Sequence, residues 1–165
     1  AVKLTSKGPI FYTQERVGKN GKRFMIYKFR SMKIDAEKNS GPVWAQDNDP
    51  RLTSIGNFLR KAHLDELPQL INVLKGEMSI IGPRPERPFF VEELKEKIPQ
   101  YEKRLSVKPG ITGLAQVRHK YDETISDVKK KIKYDIVYIK KMCLMLDLKV
   151  LFWTIGVVFT GKGAR

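Results

Sequence analysis

The chain has 165 residues, enough to bury a core and too few for two ordinary domains, so a single domain over residues 1–165 is expected. A formal net charge of +14 calls for an anionic partner, which can be nucleic acid, anionic lipid headgroups or a nucleotide diphosphate. One cysteine, Cys143, excludes an intrachain disulfide and a Cys-rich metal site, and reads as a small packed hydrophobe.

From Ile10 to Arg16 and from Arg23 to Arg30, β-branched and aromatic residues flank Gly18-Lys19-Asn20-Gly21, and the Asn-Gly pair predicts a β-hairpin. Its second strand puts Ile26 and Lys28 on one face and Tyr27 and Phe29 on the other, with Arg30 at the strand end. Lys28 and Arg30 suit a solvated edge as well as a phosphate contact. Residues Ile34 to Asp49 are polar and broken by Asn39-Ser40-Gly41-Pro42, which predicts a mobile loop of lid length. A short helix from Ser54 to Ala62, capped by Thr53 or Ser54, places Arg60 a few residues before Asp65.

His63 reads as a polar turn residue ahead of a base or metal ligand. Asp65 and Glu66 then precede Leu67, Leu70, Ile71, Val73 and Leu74, whose spacing is helical, so the acids fall at a helix N-terminus whose far end is Gly76. There the helix dipole favours ionised carboxylates, although on the residues alone simple capping, with Asp65 as cap and Glu66 in the first turn, is the favoured account of the pair. Ser79 to Pro85 predicts a short strand, SII, opening into Gly82-Pro83-Arg84-Pro85. Two prolines restrict the backbone around Arg84, which suits it to bidentate phosphate recognition.

Between Pro88 and Arg104, Phe90, Leu94, Ile98 and Tyr101 predict one helix with a core-facing stripe. Pro109 to Gly113 is turn-rich. From Asp127 onward, Val128, Ile132, Ile136, Ile139, Cys143, Leu146 and Val150 give an amphipathic repeat, with Lys129, Lys130, Lys131, Lys133, Lys140 and Lys141 over the remainder. Leu144 to Thr160 is strongly apolar but interrupted by Asp147 and Lys149, so it is expected to lie in a membrane interface and not to span a bilayer. No glycine-rich phosphate loop, dinucleotide fingerprint or zinc-ligand spacing occurs. The expected fold class is mixed α/β, mostly helical, with an N-terminal β-hairpin and amphipathic interfacial helices, and not a Rossmann fold.

Several ordered motifs carry a resemblance: Gly8-Pro9-Ile10-Phe11, Gln14-Glu15-Arg16-Val17-Gly18, Tyr27-Lys28-Phe29-Arg30-Ser31-Met32, Asp49-Pro50-Arg51, Leu59-Arg60-Lys61 and Leu64-Asp65-Glu66-Leu67-Pro68-Gln69-Leu70. They continue through Asn72-Val73-Leu74-Lys75-Gly76, Met78-Ser79, Gly82-Pro83-Arg84-Pro85, Pro109-Gly110-Ile111-Thr112-Gly113, Gln116-Val117, Tyr134-Asp135 and Leu146-Asp147-Leu148. Together they resemble the bacterial sugar transferases, the monotopic phosphoglycosyl transferases, over nearly the whole chain.

The resemblance implies transfer of a sugar 1-phosphate from a nucleotide diphosphate sugar, a UDP-sugar, to polyprenol phosphate, initiating exopolysaccharide, capsule, O-antigen or glycoprotein glycan synthesis. It implies Asp65 as covalent nucleophile, Glu66 beside it, and Mg²⁺ held by Glu66 and Asp65. Arg60 and Arg84 become phosphate clamps, and Lys28, Arg30, Gln116, Lys120, Asp135 and Asp147 become substrate-site candidates. Relatives often have a glycine followed by a basic residue after Gln116-Val117, where this chain has Arg118-His119-Lys120. The resemblance further implies a monotopic protein at the cytoplasmic face of the bacterial inner membrane, bound to anionic lipid, with no nucleic-acid partner. The family's re-entrant membrane helix lies just upstream of Gly8, and nothing here corresponds to it, so the chain is expected to be the globular part of a longer protein or a trimmed form. A basic nucleic-acid-binding module and a non-catalytic membrane scaffold are the alternatives.

Overall fold

A computed structural model of the chain describes residues 1–34, 36, 49–119 and 124–160. The expected loop over Ile34 to Asp49 falls for most of its length outside these residues, as does Lys120. After a short helix α1 (Val2–Thr5), strands β1 (Phe11–Val17) and β2 (Arg23–Phe29) pair antiparallel in the predicted hairpin. The turn carries Asn20 at φ 56° and Gly21 at φ 77°, the left-handed conformations for which Asn-Gly is suited. The inward face of β2 carries Phe24 and Ile26, both buried against Met78, and continues to Lys28.

Helix α2 (Ser54–Lys61) is capped by Thr53, whose side chain accepts from Gly56 N. Its glycine is a matter of space: a Cβ on Gly56 would sit 1.8 Å from the Ser31 carbonyl oxygen. A 3₁₀ turn, Leu64–Gln69, follows and runs into helix α3 (Leu70–Leu74), with the two acids in the first turn of the 3₁₀ segment. Pro68 disfavours α geometry at Leu67, which fits a 3₁₀ opening in place of the expected α-helical one. Gly76 at φ 75° ends the unit as expected.

Strand β3 (Ser79–Ile81) pairs parallel with β4 (Gly110–Thr112), in register Ser79 with Gly110 and Ile81 with Thr112. The turn-rich reading of Pro109 to Gly113 missed this strand. Its signal is a three-residue stretch, and the pairing requires two glycines at the contact: a Cβ on Gly110 would lie 2.1 Å from Gly82 N. Helix α4 (Pro88–Lys97) is shorter than expected. Pro99 forces Ile98 out of the helical region to φ −124°, ψ 110°, and Tyr101 and Arg104 belong instead to a separate 3₁₀ turn, Tyr101–Ser106.

Helix α5 (Leu114–Arg118) leads to the two long C-terminal helices, α6 (Ile125–Lys140) and α7 (Leu144–Thr160). The apolar repeat read across Asp127 to Val150 is thus divided, and the division lets Tyr138 of α6 and Val150 of α7 meet on Ile81 of β3. On α6 the buried stripe is Val128, Ile132, Asp135 and Tyr138, rotated from the expected one so that it includes an acid. Lys131 also turns inward, unlike the exposed Lys129, Lys130, Lys133, Lys140 and Lys141. Cys143 is exposed between the two helices and is not a packed hydrophobe. Val17, Val91, Leu94, Ile98, Tyr101, Val128 and Ile132 form the largest cluster, joining the hairpin's end to α4 and α6. Among the described residues no helix is long and apolar enough to cross a membrane.

Candidate active site

Three elements bring charged side chains to one place. Lys28 extends the inward face of β2, Glu66 rises from the 3₁₀ turn, and Arg84 comes from the proline-bounded turn after β3. Lys28 Nζ donates to Glu66 Oε1 at 2.7 Å, while Arg84 grips both Glu66 oxygens, Nη2 to Oε1 at 2.5 Å and Nη1 to Oε2 at 3.0 Å. This is the forked arrangement expected of a guanidinium on a planar two-oxygen anion. Side-chain exposure is 14 % for Glu66, 18 % for Lys28 and 35 % for Arg84, so the arginine is the most exposed of the three. Burial alone would raise the Glu66 carboxyl, but Arg84 and Lys28 outweigh it and hold it well below the usual carboxylate range. Burial lowers the Lys28 ammonium in spite of Glu66, and the field of Glu66 raises the Arg84 guanidinium.

Asp65 is different in kind. It is buried, yet its carboxylate has no hydrogen bond or ion pair to a described residue. Burial pushes its carboxyl up, with the Lys28 charge opposing and the Glu66 charge adding to the rise. Adjacent residues of a 3₁₀ turn diverge by about 120°, so one carboxylate is locked into cations while its neighbour stays unshared. Arg60 also acts on Asp65 through its charge, and its Nε donates to Ser31 Oγ at 2.9 Å. Burial lowers the Arg60 guanidinium while Asp65 and Asp49 favour its charged form.

The remaining expected site residues fall elsewhere. Arg30 is buried and donates to the main-chain carbonyls of Lys7 and Ser6, at 2.8 Å for the latter, so it ties the N-terminal segment to the hairpin. Gln116 Nε2 donates to Ile111 O at 2.9 Å. Asp147 accepts from Tyr138 Oη at 2.9 Å. Asp135 is fully buried against Arg104. His63, at φ 53°, is the turn residue expected of it.

Sequence reasoning missed Asn72, Arg104 and Glu86. Asn72 is completely buried, accepts from Tyr27 N at 3.1 Å and donates to Met25 O at 2.8 Å, fastening the hairpin to the acid-bearing turn. Glu86 binds Lys131 at 2.7 Å and faces Arg16 at 3.9 Å. Arg104 and Glu86 sit among other charges in sequence, and nothing there marks them; Asn72 stood inside a quoted motif.

A metal ion would find limited support from protein alone. Among the described residues no group of three His, Cys, Asp or Glu side chains is placed to hold one. Both Glu66 oxygens are engaged, whereas Asp65 is open. That donor set fits an oxygen-liganded ion held by one or two carboxylates and completed by substrate phosphates, as Mg²⁺ commonly is.

The site thus sets an unshared buried carboxylate beside a carboxylate clamped by lysine and arginine. The family described as bacterial sugar transferase matches residues 1–161, and the chain belongs to that family. It is 49 % identical over 164 residues to a UDP-N-acetylgalactosamine-undecaprenyl-phosphate N-acetylgalactosaminephosphotransferase of Aeromonas hydrophila, covering 99 % of this chain and 38 % of that protein. It is 45 % identical over 166 residues to the UDP-glucose:undecaprenyl-phosphate glucose-1-phosphate transferase of Escherichia coli K12, covering 99 % of this chain and 36 % of that protein. An exopolysaccharide production protein, PSS, of Rhizobium leguminosarum is 41 % identical over 171 residues, covering 98 % of this chain and 84 % of that protein. The chain thus spans less than two fifths of the length of the first two relatives.

Proposed function

We propose that this chain is the catalytic domain of a phosphoglycosyl transferase that moves a sugar 1-phosphate from a UDP-sugar to undecaprenyl phosphate, beginning an exopolysaccharide or capsule glycan. The observation that carries the reading is the asymmetry of the acid pair: Glu66 saturated by cations, Asp65 buried and unshared. The names of the Aeromonas and Escherichia relatives support donor and acceptor class.

An Asp65 carboxylate oxygen attacks the β-phosphorus, and the bond from that phosphorus to the bridging oxygen breaks. Nucleoside monophosphate leaves with the electron pair, and the sugar phosphate stays on Asp65 as an acyl phosphate. An oxygen of polyprenol phosphate then attacks the same phosphorus and the carboxylate departs unchanged. Division into two displacements avoids a direct encounter of polyprenol phosphate with the nucleotide diphosphate. Poor solvation and the lack of hydrogen bonds to described residues leave the Asp65 oxygens reactive, and Lys28, Arg60 and Arg84 favour their ionised form.

Arg84 and Lys28 already grip a two-oxygen anion, Glu66, and a donor phosphate offers the same chemistry. Arg60, braced by Ser31, adds positive charge beside Asp65. Asp65 would hold Mg²⁺, with Glu66 joining it on giving up a bond to Lys28 or Arg84, and the ion supplies charge neutralisation on the diphosphate when bound. The exposed apolar residues of α7, Leu144, Met145, Leu148, Phe152, Ile155 and Phe159, suit a membrane surface, and the exposed lysines of α6 suit its anionic headgroups at the cytoplasmic face.

Intact-mass measurement after incubation with UDP-sugar and Mg²⁺, without polyprenol phosphate, tests the reading. One phosphosugar adduct is expected, mapping to Asp65 and absent from Asp65→Asn. Steady transfer to polyprenol phosphate by Asp65→Asn would exclude the covalent route.

A further inference from the structure

Four consecutive main-chain carbonyls of residues 83–86 are held by three elements of the fold. Pro83 O accepts from Gly110 N at 3.0 Å and Glu86 O from Val17 N at 2.9 Å. Pro85 O accepts from Arg16 Nη1 at 3.4 Å, and Arg84 O from Arg104 Nη2 at 2.8 Å. The Arg84 carbonyl therefore receives a donor that is itself a buried charge. Arg104 is 3 % exposed and its partner Asp135 2 %. The three edges of the Arg104 guanidinium are all assigned, with Nε on Asp135 Oδ2 at 2.9 Å, Nη1 on Tyr101 Oη at 3.1 Å and Nη2 on Arg84 O.

Stability is a poor reason for such a pair. Removing two charges from water costs several kcal/mol per ion, and apolar residues of similar volume are often at least as stabilising. A planar fork with every edge fixed does supply direction. Its third edge holds the peptide between Arg84 and Pro85, from whose residue the side chain reaches Glu66. We propose that Arg104, oriented by Asp135, is a positioning residue for Arg84: it fixes the backbone that aims the guanidinium at Glu66 and, on the functional reading above, at the donor phosphate. Asp135 on this view acts through Arg104 and does not touch substrate.

The test replaces the whole polar unit, Arg104→Met/Asp135→Leu/Tyr101→Phe, so that none of its three members is left without its partners. Nitrogen-15 relaxation of the Arg84 Nε–H group, assigned with Arg84→Lys, reads the aim of the guanidinium directly. It is expected to be ordered in the parent chain and mobile in the triple variant. Turnover, assayed as nucleoside monophosphate release with UDP-sugar and polyprenol phosphate in micelles, should fall about 100-fold, the scale of an ångström-level misplacement. The variant that combines Arg84→Ala with the triple replacement should be no less active than Arg84→Ala alone.

Unchanged order at Arg84, or losses that multiply when Arg84→Ala is added, overturns the proposal. A parent chain without turnover would defeat the functional reading, while the relaxation measurement still decides this one. If the triple variant does not fold, Arg104→Lys serves, since it keeps charge against Asp135 but lacks the fork. Mobility at Arg84 in that variant supports the proposal, and parent-like order overturns it.

Discussion

Replacing Asp65 with asparagine and, separately, Glu66 with glutamine should move stability in opposite directions although the residues are adjacent and both changes remove one negative charge. Asp65 is buried without a hydrogen bond or ion pair to a described residue, and burial raises its carboxyl. Its favourable contribution to folding is therefore complete only below the unfolded value of about 3.9 and is lost as pH rises through the higher folded value. At neutral pH the ionised group is a deficit, and the isosteric amide should recover about 1 kcal/mol, typical of relieving a strained functional position. For a domain of this size that is a rise of about 2–4 °C in melting temperature.

Glu66 is the reverse case, because Arg84 and Lys28 hold it well below the usual range against the effect of burial. Its stabilisation is complete above the unfolded value of about 4.3 and disappears as pH falls through the lower folded value. Breaking a buried pair by removing one member costs about 3–5 kcal/mol. Arg84 is 35 % exposed, so solvent screening reduces this to about 2 kcal/mol, a fall of about 4–8 °C. Thermal unfolding by circular dichroism at pH 7.5 and again near pH 4 measures both. The two variants should diverge in sign at the higher pH; at the lower, Asp65→Asn should approach the parent while Glu66→Gln keeps most of its deficit, because Glu66 stays ionised until pH falls through its lower folded value. Shifts of the same sign at neutral pH would refute the division of the pair into an unshared and a clamped carboxylate.

Arg84→Lys should recover little of the turnover lost in Arg84→Ala, because a single ammonium cannot reproduce the two bonds to Glu66 at 2.5 and 3.0 Å; steady-state kinetics with varied UDP-sugar reads this as a raised KM and a lowered kcat. Phe152→Ser/Phe159→Ser should release the chain from anionic liposomes in co-sedimentation, since these rings are 74 % and 86 % exposed. Trp153 is a worse probe of membrane contact, because it packs on the core around Tyr138 with the Arg118 guanidinium 3.8 Å from its ring centre. Gly56→Ala should destabilise by about 1–3 kcal/mol through overpacking and lower turnover as well, because the new methyl meets Ser31 O at 1.8 Å and pushes the helix bearing Arg60 away from Ser31. Chemical denaturation and nucleoside monophosphate release measure the two effects.

Local rules were sufficient for the hairpin, for α2 with its Thr53 cap, for the acid pair at a helical start and for the extent of α7. Each depends on residues within a few positions of one another: Asn-Gly at the turn, a hydroxyl before a helix, an apolar run. Motif order likewise carried the family, since it needs no contact between distant parts of the chain. The parallel pairing of β3 with β4 was illegible because it joins two three-residue segments across the length of α4, and its only local sign is the pair of glycines that lets the strands touch.

Site residues divided in the same way. Asp65, Glu66 and Arg84 could be singled out by type and setting, but that Glu66 is the clamped member and Asp65 the open one follows from where β2 and the 82–85 turn arrive. Asp135 was read as a substrate-site acid, while the structure buries it on Arg104, thirty-one positions earlier. A sequence records that a charge is present; the partner that neutralises it, and hence whether it meets water, substrate or another side chain, is set by tertiary packing, because electrostatic energy depends on distance and burial and not on separation along the chain.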